Sequence, residues 1–255
     1  MSKPAPGAAG REISLLHMAL QIVLTVGIFY FWSTPLIQPI KLMVVLLHEM
    51  SHGLMALASG GTVHDIVITP DEGGACRSEG GNALLIAGAG YLGSMFFGGM
   101  ILRAARGGSS VPVAYAILTL LVLGAAVTVL RDSYSRTFAL ALGGFFIFIG
   151  LIAPSFIGAF GLRLLGTGNC LYAIFDIYSD LVIGDTGAIT NASSKMQNDA
   201  QAFSSLTGVP PQTVGLAWFI VSVLFFMAIL KASIESTPTA KAPATPASVP
   251  AGSAS

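Results

Sequence analysis

The charged residues of this chain are gathered into short islands, and the apolar runs between them are long enough to cross a lipid bilayer. Only 9% of the 255 residues are charged, whereas roughly 25% is usual in soluble domains. An apolar helix of about 20 residues spans the hydrocarbon core of a membrane. Runs of this kind occupy residues 13–40, 80–102, 111–130, 137–162 and 200–230. The pattern predicts an all-α polytopic membrane protein and excludes a soluble globular domain.

Two further apolar segments contain ionisable residues. Segment 42–59 contains two histidines and a glutamate, and segment 166–183 contains two aspartates. Together with the other runs, these segments give seven transmembrane helices. Six is the alternative, because the glycine-rich region 143–168 can be divided between helices in more than one way.

The two ends of the chain differ in composition from its apolar part. Residues 1–11 are polar, and residues 233–255 form a Pro/Ala/Ser-rich tail. Such a tail buries too little apolar surface to order itself, so we expect it to be disordered. The remaining residues, 12–232, are predicted to form one membrane-embedded domain.

The charge balance limits the possible partners but leaves the orientation open. Lys and Arg together number 12, and so do Asp and Glu, which gives a net charge of +0. The chain therefore lacks the excess positive charge that binds the phosphates of nucleic acid. Lys3 and Arg11 favour a cytoplasmic amino terminus. Arg103 and Arg106 would then lie on the opposite side. Because the first apolar run has no clear cleavage site, we expect a retained multi-pass protein of the bacterial inner membrane.

The second apolar run contains the sequence His48-Glu49-Met50-Ser51-His52, an H-E-x-x-H motif. Residues four apart on a helix share a face, so His48 and His52 can each direct a ring nitrogen to one zinc ion. Glu49 lies on the adjoining face, where its carboxylate can act as general base on a water activated by the metal. The alternative is a polar cluster that joins helices, but ionisable groups inside a membrane are costly and usually mark function.

A catalytic zinc ion usually has three protein ligands, so a third must come from elsewhere in the chain. Asp176 and Asp180 are four residues apart, and Asn169 precedes Asp176 by seven, so all three share one helical face. We expect Asp176, the deeper acid, to bind the metal. Asp180 is the alternative ligand, or it orients a histidine N–H. Asn169 is a candidate hydrogen-bond donor to the substrate or to the developing oxyanion.

Three other polar residues are weaker candidates. His17 and His64 are further possible ligands, although a solvated loop histidine is the expected role of His64. Asp199 would reach the site only if its loop folded back, and it is therefore left out of the predicted catalytic set.

A β-hairpin is predicted directly after the H-E-x-x-H helix. Residues 62–69 are rich in β-branched side chains, residues 70–74 are turn formers, and residues 75–78 provide a second strand. An exposed edge of this hairpin can hold a peptide substrate extended, with an inert interfacial loop as the alternative. Small residues at four-residue intervals in the next helix predict close helix packing, and these are Gly90, Ser94 and Gly98.

The motif His48, Glu49 and His52 in a membrane helix, with an aspartate on a later helix, resembles the site-2 protease family of intramembrane zinc metallopeptidases. Within that family the chain is most similar to a compact branch without PDZ domains. Further similar stretches are residues 47–56, 63–81, 87–94, 169–180 and 198–210. One departure is that better-known members carry the third ligand in an Asn-x-x-Pro…Leu-Asp-Gly pattern, whereas neither prolines nor a glycine flank Asp176.

The resemblance implies a zinc-dependent intramembrane protease with one Zn²⁺ ion. It implies that His48 and His52 bind the metal and that Glu49 is the general base. The implied substrate is a membrane protein or peptide within the lipid bilayer. Two alternatives remain, a catalytically silent membrane binding protein of the same fold and a metal-ion transporter. The transporter is disfavoured because the chain has few intramembrane acids and no repeated halves.

Overall fold

A computed structural model describes residues 8–106, 108–182 and 198–235, with side chains described for 19–106, 108–179 and 198–232. Most of the predicted polar segment 1–11 and of the predicted tail 233–255 lies outside these residues. The described elements are eight helices and two strands. They are α1 (Ala8–Tyr30), α2 (Gln38–Ala58), β1 (Thr62–Ile68), β2 (Gly74–Glu79), α3 (Ala83–Ala104), α4 (Ser110–Thr128), α5 (Ser133–Ile152), α6 (Ser155–Val182), α7 (Asp199–Thr207) and α8 (Pro211–Glu235).

Five of these helices are long and apolar enough to cross a membrane, namely α2, α3, α4, α5 and α8. Helix α1 adds a shorter apolar stretch, Ala19–Tyr30. Large apolar side chains point outward from the outer helices, and Leu120, Val127 and Leu151 are 73%, 77% and 81% exposed. In water such a surface would be unfavourable, whereas lipid tails solvate it. The prediction of an all-α polytopic membrane protein with a short hairpin is confirmed.

The boundary between α5 and α6 differs from the predicted one. The sequence predicts spans at 137–162 and 166–183, but α5 ends at Ile152 and α6 runs unbroken from Ser155 to Val182. Pro154 explains the break, because proline has no N–H to donate and cannot continue a helix. The glycines that follow do not break α6, because neighbouring helices pack closely against them. An added Cβ on Gly166, for example, would lie 2.8 Å from the backbone nitrogen of Leu102 in α3.

Helix α2, which contains the H-E-x-x-H motif, is enclosed by the rest of the fold. Val44, Leu46 and Leu47 are 0% exposed. Helices α3 and α6 and both strands of the hairpin pack around α2. Because its neighbours separate α2 from lipid, its polar side chains can be satisfied by protein groups.

The predicted β-hairpin is confirmed, and it lies along α2. Strands β1 and β2 pair antiparallel, with an irregularity between Val63 and Asp65. At the turn, Gln38 donates a side-chain hydrogen bond to the carbonyl of Pro70 at 2.6 Å. Nearby, the Lys41 ammonium contacts the Glu72 carboxylate at 3.0 Å. These two contacts attach the tip of the hairpin to the first turns of α2.

The two edges of the hairpin have different surroundings. The outer edge of β1 is occupied, because the Ile66 N–H donates to the Val129 carbonyl at 3.0 Å. The Ile68 N–H also donates to the Ser135 hydroxyl, at 2.8 Å. Among the described residues, no strand pairs with the outer edge of β2. That edge is therefore the one on which a further strand can be added.

The small-residue stripe of α3 packs against two different partners. Gly98 lies against α6, where an added Cβ would be 3.1 Å from the Gly166 carbonyl oxygen. One turn earlier, the Ser94 carbonyl accepts a hydrogen bond from the Asn169 side chain of α6 at 2.5 Å. Gly90 instead faces His48 of α2. The stripe thus packs α3 against α6 and also brings it close to the H-E-x-x-H motif.

Candidate metal centre

His48 and His52 lie one turn apart on α2, and both rings point to the same place. Their Nε2 atoms are 3.2 Å apart. Only 14% and 11% of the two side chains is exposed. Two acceptor nitrogens this close repel each other unless a proton or a metal ion lies between them. The i, i+4 spacing therefore places two potential ligand atoms at one buried point.

Helix α3 fixes the orientation of both rings. The Nδ1 of His52 lies 2.7 Å from the Ile86 carbonyl oxygen. A carbonyl only accepts, so Nδ1 carries the proton, and in the neutral ring Nε2 keeps its lone pair for a ligand. The Tyr91 ring packs edge-on against His48, with the ring centroids 5.1 Å apart. Contacts that orient a histidine ring on the side away from its ligand atom are typical of metal sites.

The third group at this point is Asp199, the first residue of α7. Its Oδ2 is 3.2 Å from Nε2 of His48, and its Oδ1 is 3.2 Å from Nε2 of His52. The preceding residue, Asn198, caps the helix by accepting the Gln201 N–H at 2.8 Å. An apolar cluster holds α7 against α3, α6 and α8, and its buried members are Tyr91, Ile177, Ala200, Val214 and Trp218.

The three side chains fit a metal ion. Four ligands at 2.0–2.1 Å from a tetrahedral zinc are about 3.3 Å from one another. The two Nε2 atoms are 3.2 Å apart, and each lies 3.2 Å from one of the two carboxylate oxygens of Asp199. The Oδ2 atom of Asp199 is buried, and its 3.2 Å contact with Nε2 of His48 does not have hydrogen-bond geometry, so no described residue donates a hydrogen bond to it. Such an unsatisfied buried acceptor is costly, and a cation would satisfy it.

The carboxyl group of Asp199 is suited to bind a cation. Burial by itself raises the pKa of Asp199, but when His48 and His52 are protonated their positive charges outweigh burial and lower the pKa below its ordinary value. A cation that replaced those protons would favour the ionised carboxylate in the same way. Ionised carboxylate is the form that binds metals.

Glu49 lies beside the two histidines and faces a small cavity of about 230 Å³. Its side chain packs against Gly74 of β2, where an added Cβ would be 2.5 Å from Oε1 of Glu49. The walls come from α2, the hairpin turn, α3, α6 and the start of α7. The cavity therefore brings two of the potential ligands, His48 and Asp199, together with Glu49 and the hairpin.

The sequence predicts Asp176 as the third ligand, with Asp180 as the alternative. Asp176 lines the same cavity, but among the described side chains the group of potential ligand atoms within 4.8 Å of one another consists of His48, His52 and Asp199. The physical reason is that α7 packs back onto the bundle and fills the position beside the histidines. Asp180 belongs to α6, and its side chain lies outside the described ones. The assignment of Asp176 or Asp180 as a ligand therefore rests on the sequence alone.

The other sequence candidates also lie elsewhere. Asn169 is 0% exposed, and its side-chain N–H donates to the Ser94 carbonyl rather than into the cavity. In the described fold, Asn169 thus links α6 to α3. His64 is exposed beside Glu79, with Nε2 3.2 Å from Oε2. The side chain of His17 lies outside the described ones.

Asp199 is the residue that sequence reasoning missed. The local signal is Asn198-Asp199, a capping residue followed by an acid at the start of a short helix. That pair is common at helix starts, because the side chain and the charge both stabilise the unpaired N–H groups there. Nothing in the pattern distinguishes a ligand from an ordinary helix start.

Comparison with known proteins gave one match. The family model described as Peptidase M50B-like matches residues 21–229. The matched region includes both histidines, Glu49, the hairpin and Asp199. Comparisons with curated proteins and with solved structures each found no match.

Gly90 tests whether close packing of α3 holds the site together. In Gly90→Ala the new Cβ would overlap both Oδ2 of Asp199 and Nε2 of His48, so these atoms must separate. We expect zinc affinity to fall by about 10–100-fold, as when groups that support a ligand are lost. The control is Gly88→Ala on the same helix, whose Cβ meets nothing closer than 3.8 Å. Equal zinc affinities of the two variants in a chelator competition would contradict the described geometry.

Proposed function

The chain belongs to the peptidase M50B-like family, and on this premise we propose that it is a zinc-dependent intramembrane protease of membrane-associated substrates. The family is one of metallopeptidases, and the five apolar helices agree with an integral membrane protein. The observation that carries the proposal is the meeting of two imidazole nitrogens, 3.2 Å apart, each 3.2 Å from one oxygen of the Asp199 carboxylate, beside Glu49 in an enclosed membrane helix. Location in a bacterial inner membrane is part of the proposal.

We assign the zinc ligands to His48, His52 and Asp199. Two imidazoles and one carboxylate form a donor set that zinc uses in catalytic sites, with a further position left open. When bound, zinc supplies a Lewis acid that polarises the scissile carbonyl and lowers the pKa of a water molecule. The hydrogen bond between His52 and Ile86 supports this assignment, because it leaves Nε2 available.

Glu49 is the proposed general base. Its carboxylate takes a proton from the attacking water and passes it to the leaving amine, so the peptide bond breaks without releasing a free amide anion. The side chain is 8% exposed. Burial against Gly74 restricts its motion and keeps bulk water away from the proton that it transfers.

The hairpin is the proposed platform for the substrate. A peptide must be extended for its carbonyl to reach the site, and an extended peptide can add to a sheet edge. The edge of β1 is occupied by Val129 and Ser135, which leaves the edge of β2. Gly74 begins β2 and contacts Glu49. A peptide strand paired with β2 would therefore pass close to the proposed base.

Replacement of Glu49 by glutamine tests the proposed chemistry. The amide of the new side chain cannot accept a proton, so we expect cleavage of single-span membrane proteins, reconstituted with the enzyme, to fall by about 10²–10⁴-fold. Zinc should remain bound, because Glu49 is outside the ligand group. The control is Glu79→Gln. Glu79 is an exposed residue at the end of β2, and this variant should cleave normally. Undiminished cleavage by Glu49→Gln, or no cleavage by the wild-type protein of any such substrate, would refute the protease proposal.

A pair of Asp-to-Asn variants tests the third ligand. Amide groups bind zinc poorly, so Asp199→Asn should lower the zinc content measured by mass spectrometry after mild chelation. Asp176→Asn removes the same charge from the same cavity and should keep its zinc. The opposite result would make Asp176 the ligand, as the sequence predicts, and reject Asp199.

A further inference from the structure

A second cavity, of about 680 Å³, lies away from the metal-binding group. It is formed where α3 ends and α6 begins, with the middle of α1 beside it. Its walls include Leu20, Arg106, Ser155, Phe160 and Arg163. The two cavities have no described lining residue in common.

Arg163 is the unusual residue of this second cavity. Arg163 is only 7% exposed. Among the described residues it has no carboxylate or hydrogen-bond acceptor as a partner. A buried guanidinium is normally paired, because its charge is costly to remove from water. The cavity into which Arg163 faces is therefore the place where a negatively charged group would be stabilised.

Arg106 provides a second cation on the same wall. One of its terminal nitrogens donates to the Ala232 carbonyl at 2.9 Å, which holds the side chain against α8. Its Nε is buried and has no partner among the described residues. None of the lining residues that the structure describes is acidic. Two arginines without an acid form a charge-complementary site for a phosphate, whose oxygens can accept from both.

The rest of the cavity is suited to hydrocarbon. Phe156 and Phe160 line it and are 74% and 44% exposed on the outer surface of the bundle. Acyl chains can lie along such side chains while the phosphate faces the arginines. An apolar wall open to the membrane gives no advantage to a free phosphate ion. It therefore favours a lipid headgroup as the source of the phosphate.

We propose that this cavity binds the headgroup of an anionic phospholipid, with its phosphate held by Arg163 and Arg106. The orientation of the helices agrees with this. Leu20, near the middle of α1, lines the same cavity as Arg106 at the end of α3 and Ser155 at the start of α6. Arg103 and Arg106 make this end of α3 basic. A basic end faces the cytoplasmic leaflet, where anionic lipids are abundant.

The test uses the full chain in detergent and measures the binding of phosphatidylglycerol by native mass spectrometry. Arg163→Gln removes the buried cation. We expect phosphatidylglycerol affinity to fall about 10–100-fold, because a charge-assisted hydrogen bond to the phosphate is lost. Arg103→Gln is the matched control, because Arg103 is exposed at the same end and does not line the cavity. Loss of the Arg103 charge should lower the affinity for phosphatidylglycerol by at most about fivefold. Should Arg163→Gln fail to fold, Arg106→Gln takes its place, with the same expectation.

Three outcomes would overturn the proposal. Equal losses in Arg163→Gln and Arg103→Gln would mean that only diffuse surface charge attracts the lipid. Equal binding of phosphatidylcholine with the same acyl chains would mean an apolar groove that does not recognise the headgroup charge. Displacement of phosphatidylglycerol by inorganic phosphate at millimolar concentration would identify a free anion site.

Discussion

The contact among His48, His52 and Asp199 is the constraint on which the rest of the structure depends. Two imidazole nitrogens lie 3.2 Å apart, and each is 3.2 Å from one carboxylate oxygen of Asp199, inside a membrane-embedded protein. Groups of this kind are unfavourable in hydrocarbon unless they are enclosed and satisfied. The enclosure of α2 by α3, α6 and the hairpin provides that environment. Gly90 is required for the same reason, since any side chain there would occupy the space of the ligand atoms.

The hairpin connects this buried centre to the outside. Its tip is attached to α2 by the contact between Lys41 and Glu72, and Glu72 also lines the cavity. The Lys41 ammonium lies 5.0 Å from the centre of the Trp32 ring as well, which stabilises its charge. Under the proposed function, these contacts hold the hairpin beside the cavity where a peptide would enter. The edge of β2, with which no described strand pairs, is the proposed surface for an extended chain.

Local patterns predicted much of this arrangement, and long-range packing accounts for what they missed. Helical spacing alone places His48 and His52 on one face, and β-branched alternation gives the hairpin. Asp199 is different, because its position depends on Tyr91 and Trp218, residues distant in sequence that hold α7 against the bundle. Asp176 has the local features of a ligand and lines the same cavity, but it is outside the described group of potential ligand atoms. The sequence pattern placed the boundary between two spans at residues 163–165, whereas the helix break lies at Pro154 and close packing lets α6 continue through the glycines beyond it.

The proposed zinc site, formed by two imidazoles and one carboxylate, can be tested directly. X-ray absorption at the zinc edge of the purified full chain measures the ligand types and distances. Coordination by His48, His52 and Asp199 predicts nitrogen and oxygen ligands at about 2.0–2.1 Å, with the scattering pattern of two imidazole rings. A sulfur ligand at about 2.3 Å, or zinc without any imidazole around it, would contradict this coordination.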